Sequence, residues 1–223
     1  MGGVTMIQLT TILMAAVLSA SVDDVATKVQ EVYEKAQSYK AHFVQEVTLK
    51  TIDKTEKDEG TVCFKKPGKM RWEYRKSPEQ PLLQLIVSDG ETMWFYTPSE
   101  KQVLVDKIEK VLSSKTVMDF LSGMGNLKGE FKVKFSKAKG LVDRGKYYLL
   151  DLRHKELPKD TGGKLLAAVS KATFMVDQAF IYDEFGNRTR IIFDKAEINT
   201  DLPDDIFKFE IPKGVEVVRP PKQ

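Results

Sequence analysis

Two β-rich runs meet at an Asp-Gly pair in the stretch Val87-Ser88-Asp89-Gly90-Glu91-Thr92-Met93-Trp94-Phe95-Tyr96. An Asp-Gly pair supplies the positive φ angles that a tight β-hairpin requires. The segments Leu82 to Val87 and Thr92 to Tyr96 are therefore predicted to pair as antiparallel strands. The remaining strands are predicted from the segments on both sides of this hairpin.

The two-residue period of β-strands continues on both sides of the hairpin. In the segment Met70 to Tyr74, the side chains of Met70, Trp72 and Tyr74 share one face. About a dozen antiparallel strands predict a mainly β (α+β) protein whose sheet is strongly curved and closed or nearly closed into a barrel, because a flat sheet of that size is unusual. The other predicted strands are His42 to Lys50, Thr61 to Lys65, Gln102 to Val105, Phe131 to Phe135, Tyr147 to Leu152, Leu165 to Val176, Ala179 to Tyr182, Arg188 to Ile198 and Phe207 to Ile211.

Two amphipathic helices are predicted in addition to the strands. The first has Asp23 or Asp24 as a candidate N-cap, and the second is short and strongly apolar on one side. Their apolar stripes, at helical spacing, are Val25, Val29, Val32 and Ala36 in the first helix and Val117, Phe120 and Leu121 in the second.

The N-terminal segment has the pattern of a secretory signal peptide. No charged side chain lies between Met1 and Val22, and the apolar run Ile12 to Leu18 is followed by three small residues. We therefore predict a signal peptide at residues 1–21 and a single mature domain at residues 22–223, located outside the cytoplasm. A membrane anchor is the alternative, although polar residues interrupt the stretch that would have to span a bilayer.

Composition argues against several classes of function. The 223 residues include 35 Lys and Arg against 32 Asp and Glu, and the net charge of +3 is far below that of a nucleic-acid-wrapping surface. One cysteine, Cys63, and two histidines, His42 and His154, cannot build a zinc site of the Cys/His type. The common nucleophile, phosphate-loop and zinc-protease motifs are missing from the sequence. We therefore predict a protein that is not an enzyme and uses no metal or cofactor.

A curved sheet of this size either encloses a ligand cavity or is filled by other parts of the chain. The two helices are available as a plug or lid, and their stripes, like Met70, Trp72 and Tyr74, contain no ionic residue. Two interpretations stay open at this point, a packed core and a lipid cavity gated by helices. Aromatic and Met side chains suit the second because they offer apolar area without demanding one ligand shape.

Four stretches of the chain resemble the periplasmic outer-membrane lipoprotein carrier (LolA) family. They are Phe43-Val44-Gln45, Lys66-Pro67-Gly68-Lys69-Met70-Arg71-Trp72, Val87 to Pro98 and Ile211-Pro212-Lys213-Gly214-Val215-Glu216-Val217. The resemblance extends from Val25 to Val218. It implies an incomplete antiparallel β-barrel of about eleven strands under a lid of short α-helices, with an apolar hollow for the acyl chains of lipoproteins.

The same resemblance implies partners and a location. A carrier of this family receives lipoproteins from an inner-membrane ABC-type lipoprotein-releasing complex and passes them to an outer-membrane receptor lipoprotein, so this chain is expected to act as a monomer in the periplasm. The alternatives are a related carrier of another lipid, such as a glycolipid or phospholipid, and an envelope lipid or lipoprotein sensor.

Three groups of residues follow for the site. In the family an Arg commonly precedes the Pro of the first hairpin and bonds the lid backbone; Lys66 stands there and is assigned as the lid latch, although its neighbour Lys65 is an alternative. The residues assigned to the hollow and its lid are Val29, Val32, Phe43, Met70, Trp72, Tyr74, Trp94, Tyr96, Val117, Phe120 and Leu121. A nearby basic cluster is either a solvated strand face or a docking surface for an acidic partner, and its residues are Lys69, Arg71, Arg75 and Lys76.

Overall fold

The computed structural model describes residues 20–108, 127–155 and 164–219. The predicted signal peptide lies outside these residues apart from its last two positions. The second predicted helix, with Val117, Phe120 and Leu121, lies wholly outside them.

The fold is a single twelve-stranded sheet with a helix at its start. The sheet order is β12-β6-β5-β4-β3-β2-β1-β11-β10-β9-β8-β7, and among the described strands only the β12–β6 pair is parallel. The first helix is α1 (Val22–Lys35), and a short helix α2 (Leu127–Glu130) precedes β7. The strands are β1 (Ser38–Leu49), β2 (Lys54–Lys65), β3 (Lys69–Arg75), β4 (Gln84–Asp89), β5 (Thr92–Thr97), β6 (Gln102–Lys107), β7 (Phe131–Phe135), β8 (Tyr147–His154), β9 (Lys164–Ser170), β10 (Val176–Tyr182), β11 (Arg188–Ile198) and β12 (Glu216–Val218).

The predicted hairpin forms between β4 and β5, and the predicted curved sheet is an open one. Gly90 in the turn has φ of 107°, which is a backbone conformation that glycine adopts readily. The two outermost strands, β7 and β12, are not paired with each other among the described residues. The sheet is therefore an incomplete barrel, as expected, rather than a closed one.

Two of the strand predictions were wrong. The segment Leu165 to Val176 is not one strand, because a turn in which Phe174 has φ of 57° separates β9 from β10. The alternating residues from Phe207 to Ile211 do not form a strand either; Asp204–Phe207 is a 3-10 helix that inserts the buried Phe207 under the sheet. The alternation reflects the packing of Phe207 against Leu202 and Cys63 rather than pairing in the sheet, and the strand that pairs with β6 is β12.

Helix α1 begins two residues earlier than an N-cap at Asp23 would place it. Ser21 is the N-cap, and its hydroxyl accepts a hydrogen bond from the amide of Asp24 at 3.1 Å, while the Asp24 carboxylate accepts one from the Ser21 amide at 3.2 Å. This reciprocal capping box fixes the start of the helix. The predicted stripe faces the sheet, with Val25 and Val29 fully buried.

Hydrophobic clusters lie on both faces of the sheet. The large one fills the concave face together with α1. A second lies on the outer face, where the segment 136–146 folds back over β8, β9 and β10 and covers Leu149, Leu166 and Phe180. A third forms where the C-terminal segment places Leu202 and Phe207 against Cys63 of β2. The sheet is thus held from outside as well as from inside.

Asp204 ties the C-terminal segment to the β2–β3 hairpin and gives a prediction for acid stability. Its carboxylate lies 2.7 Å from the ammonium groups of both Lys65 and Lys69, and these hydrogen bonds lower the pKa of Asp204 to about 2 from 3.8. A carboxyl whose pKa is lower in the folded state stabilises the fold above its unfolded pKa, and this contribution is lost as the pH falls. We expect Asp204→Asn to reduce the loss of stability between pH 4 and 2.

Urea unfolding at pH 6, 4, 3 and 2 measures this effect. The matched control is Asp205→Asn, because the Asp205 carboxylate pairs with its near neighbour Lys208 rather than with the hairpin. Equal pH dependence of the wild type and the Asp204→Asn variant would contradict the assigned role of the Lys65–Asp204–Lys69 contacts.

Candidate functional site

An aromatic cluster occupies the centre of the concave face. The rings of Phe43 and Trp72 have centroids 4.8 Å apart, and those of Phe43 and Tyr74 are 4.9 Å apart. Phe43 and Trp72 are completely buried, and Met70 almost so. These four predicted residues therefore lie together on one surface, because β1 and β3 both pair with β2 and direct them to the same side.

Helix α1 covers this surface. Its buried residues are Val25, Ala26, Val29 and Tyr33, and Val32 is half-buried against the same cluster. A pocket of about 110 Å³ lies between α1, Lys128 and β7. Such a volume holds only a few water molecules. Among the described residues, α1 belongs to the same apolar cluster as the aromatic rings, so the helix would have to move before an acyl chain could lie against them.

Buried polar atoms are present in this apolar layer. The Trp72 indole Nε1 is buried and has no hydrogen-bond partner among the described residues. The Tyr33 hydroxyl accepts a hydrogen bond from the amide of Val176 in β10 at 3.1 Å. Burial raises the pKa of Tyr33, Tyr39 and Tyr74 well above the ordinary tyrosine value, so their hydroxyls are neutral at physiological pH.

Lys66 holds the C-terminal end of α1. Its ammonium group donates hydrogen bonds to the carbonyl oxygens of Tyr33 at 3.0 Å and Glu34 at 2.7 Å. These belong to the last turn, where carbonyls lack partners within the helix and where the helix dipole favours a cation. Lys65 points elsewhere and binds the Leu202 carbonyl and Asp204. Lys66, not Lys65, is therefore the residue in contact with the helix.

Lys128 holds the other end of the helix. Its ammonium group lies 2.9 Å from the Asp23 carboxylate and 3.0 Å from the Thr27 hydroxyl, and its amide donates to the Gln30 side chain at 3.1 Å. Sequence analysis missed this residue, since nothing in the local pattern connects position 128 with a helix about a hundred residues earlier. Polar contacts at both ends thus fasten a helix whose middle is held by apolar packing.

The prediction that Trp94 and Tyr96 line the hollow was wrong. In the β4–β5 register, Ile86 of the concave face lies opposite Phe95, whereas Trp94 lies opposite Val87 on the outer face. The Trp94 and Tyr96 rings instead contact Phe209 of the C-terminal segment, with centroids 6.2 and 5.5 Å away. Met93 and Phe95 take the inner positions, because successive side chains of a strand point to opposite faces.

The concave face also contains residues that the sequence analysis did not assign to the site. Tyr39, Phe64 and Phe193 join the aromatic cluster; the Phe64 and Phe193 rings each lie 6.1 Å from Trp72. Phe64 and Phe193 lie in predicted strands, so for them the missing information was the pairing register, whereas Tyr39 lies in β1 before the predicted start of that strand at His42. Every second residue of a strand and the register partners of these residues in neighbouring strands share one face, so the register around Trp72 places all three rings on the concave face.

The basic residues considered for partner docking are all matched by acidic groups of the chain itself. Arg71 lies 2.6 Å from a Glu73 carboxylate oxygen, Arg75 lies 3.5 Å from the other oxygen, and Lys76 lies 2.6 Å from Asp58. Lys69 is bound to Asp204 as described above. This arrangement favours the interpretation as a solvated strand face, because their charges are already opposed within the chain.

Within the described ranges, no helix is long and apolar enough to cross a membrane. The same residues contain no group of three or more His, Cys, Asp or Glu side chains arranged to hold a metal ion.

A curved open sheet with a helix against its concave face defines the structural class of this protein. The same fold occurs in an uncharacterized conserved protein from Thermus thermophilus, with a TM-score of 0.55 at 15% identity, covering 89% of this chain and 98% of the other.

The sequence comparisons then identify the family within this class. The family described as "Outer membrane lipoprotein carrier protein LolA" matches residues 34–210. The chain is 30% identical over 219 residues to an outer-membrane lipoprotein carrier protein of Nitrosomonas europaea, covering 95% of this chain and all of the relative. A protein of the same description from Dechloromonas aromatica is 33% identical over 83% of each chain. The chain belongs to the LolA family, which confirms the resemblance seen in the sequence.

Proposed function

We propose that this protein is a periplasmic carrier that shelters the acyl chains of lipoproteins between its concave face and α1 and moves the lipoproteins from the inner to the outer membrane. The observation that carries the proposal is an aromatic concave surface covered by α1, a helix with polar contacts at its two ends. The chain's membership in the LolA family, and the printed names of its relatives, support the same role.

Energetics explain why such a carrier is needed. Each methylene of an acyl chain gains about 0.8 kcal/mol when it leaves water for an apolar site, so several long chains will not cross an aqueous compartment unaided. The protein must also release its cargo. The covered and opened states should therefore differ by only a few kcal/mol, because a larger gap in either direction would prevent loading or delivery.

The contacts of α1 fit a helix that can be lifted. Lys66 and Lys128 reach it from outside, and water can replace their hydrogen bonds once the helix moves. The acyl chains would substitute for Val25, Val29 and Tyr33 against the aromatic cluster. We further propose that an inner-membrane ABC-type releasing complex supplies the cargo and that an outer-membrane receptor lipoprotein accepts it.

A binding experiment with a defined cargo tests the proposed function. Purified protein is mixed with a fluorescent, synthetic triacylated lipopeptide and separated by gel filtration without detergent. We expect the lipopeptide to elute with monomeric protein rather than as aggregates, and a peptide lacking acyl chains to remain unbound. Failure to keep the acylated peptide in solution would overturn the proposal. If native lipid extracted from the protein proves by mass spectrometry to be a glycolipid or phospholipid alone, the cargo assignment fails but the carrier role does not.

Lys66 gives a prediction about the mobility of α1. The variant Lys66→Met keeps the apolar stem but removes two charge-assisted hydrogen bonds, which contribute about 1.5–3 kcal/mol when made to a charged group. We expect hydrogen exchange of the amides in residues 25–35 to become about ten times faster or more, while the strands change little.

The matched control is Lys65→Met, because Lys65 stands next in sequence but binds the C-terminal segment instead. In the Lys65→Met variant, amide hydrogen exchange should become faster near residues 202–206 and stay unchanged in α1. Unchanged exchange in α1 of the Lys66→Met variant would show that Lys66 does not restrain the helix.

A further inference from the structure

Positive charge is concentrated in one stretch of the chain. Residues 131–155 contain eight Lys and Arg against two acidic residues, Asp143 and Asp151. Subtracted from the totals of 35 basic and 32 acidic residues, this leaves 27 basic and 30 acidic residues elsewhere. The small net positive charge of the protein therefore comes from this stretch alone.

Four of these lysines lie at the end of the sheet where β7 runs into β8. We call them the basic rim: Lys134, Lys137, Lys139 and Lys146. All four are exposed. In the part of the chain that the structure describes, none of their ammonium groups forms an ion pair or hydrogen bond, and even Lys134, opposite Asp151 in the strand register, is not paired with it. They differ in this respect from Lys69, Arg71 and Arg75 of β3, which form ion pairs with acidic side chains of the chain.

A row of aromatic rings lies beside the basic rim. Phe135 stacks on Tyr148 at 6.0 Å, and Tyr148 stacks on Phe174 at 6.3 Å. The row ends at the surface, since Phe135 is 39% exposed. Lys171 lies 5.1 Å above the Tyr148 ring and Lys28 of α1 lies 4.7 Å above the Phe174 ring. Aromatic rings and lysines thus alternate along one end of the molecule, next to the helix that covers the hollow.

We propose that the basic rim and this aromatic row dock the protein on an anionic phospholipid bilayer. Lysines without an acidic partner are attracted to a negatively charged bilayer, and aromatic rings with a polar or cationic neighbour suit the headgroup level of a membrane. An edge strand often carries lysines that prevent pairing with other chains. That role accounts for Lys134 on β7, but not for the three lysines that follow the strand.

A bilayer fits these residues better than an acidic protein surface does. The lysines are flexible point charges, whereas specific recognition of carboxylates favours the planar fork of arginine. Hydrogen bonds within the segment 136–146 also restrain its backbone, because Arg144 donates to the Ser136 and Ala138 carbonyl oxygens at 2.8 and 2.7 Å. The exposed lysines therefore extend from an ordered backbone. Docking here would bring α1 and the hollow close to the membrane surface.

The experiment measures binding to vesicles in the absence of lipoprotein. Full-length mature protein is incubated with vesicles of phosphatidylcholine alone or of phosphatidylcholine and phosphatidylglycerol in equal amounts, and bound protein is recovered by flotation. The rim variant carries Lys134→Gln, Lys137→Gln, Lys139→Gln and Lys146→Gln. The control variant makes the same change in net charge at four exposed lysines elsewhere, Lys57→Gln, Lys101→Gln, Lys195→Gln and Lys213→Gln.

We expect binding to the anionic vesicles only, weakened by raising the salt concentration because screening shortens the reach of the charges. The rim variant should bind at least about ten times more weakly, and the control variant as the wild type does. Both variants should still capture triacylated lipopeptide, so this proposal can fail while the carrier function stands. The proposal would be overturned if the two variants lost the same vesicle affinity or if the wild type did not bind anionic vesicles. Binding to immobilised polyglutamate but not to vesicles would also overturn it.

Discussion

Replacing Trp72 by alanine is expected to lower the free energy of unfolding by about 3–5 kcal/mol, which is the usual cost of truncating a large buried aromatic residue. Trp72 is completely buried and contacts the Phe43, Tyr74, Phe64 and Phe193 rings. Its removal leaves a cavity where the two halves of the concave face meet. Urea unfolding followed by far-UV circular dichroism measures the loss without relying on tryptophan fluorescence.

The chain supplies its own control, because it has just one other tryptophan. Trp94 is half-buried on the outer face against Phe209, so Trp94→Ala should cost less than about half as much. The milder change Trp72→Phe keeps a ring and removes the unpartnered indole N–H, and we expect it to cost under about 1.5 kcal/mol. A loss for Trp72→Ala no greater than for Trp94→Ala would contradict the placement of Trp72 at the centre of the core.

Replacing Gly60 by alanine is expected to cost at least about 3 kcal/mol, because the added methyl group has no room. Gly60 of β2 lies opposite Tyr74 in β3 and Phe43 in β1. A Cβ at this position would lie 1.6 Å from the Glu73 carbonyl oxygen and 3.1 Å from the Phe43 ring. The backbones of β2 and β3 would have to separate at the point where the aromatic cluster is assembled.

The comparison for this variant is Gly140→Ala. A Cβ at Gly140 meets nothing within 4 Å, although its φ of 74° is unfavourable for alanine, so a cost of about 1 kcal/mol is expected. The midpoints of urea unfolding and the yield of folded protein should separate the two variants. Equal losses in the two variants would contradict the close approach of β2 and β3 at Gly60, because this residue does not have the positive φ that makes alanine unfavourable at Gly140.

The sequence was sufficient to predict the strands near the Asp-Gly turn and the inner face of β3, because there the local pattern and the tertiary structure agree. It failed at Trp94 and Tyr96 because a face can be assigned only relative to a paired strand, and Ile86 lies opposite Phe95 rather than Trp94. It failed at Phe207 because burial under the outer face mimics the alternation of a strand. The Lys128 contact with Asp23 depends on chain reversal over about a hundred residues, which no local pattern records.

The clusters on the outer face have a consequence for the cycle of loading and unloading. Phe180 with Leu149 and Leu166, and Phe207 with Cys63, stabilise two separate regions of the outer face without contacts to α1. We therefore expect the sheet to stay folded when α1 moves away from the concave face, so that the helix can return to the same surface. The sheet thus has apolar contacts on its outer face that do not involve α1, whereas the apolar contacts of α1 lie on the concave face.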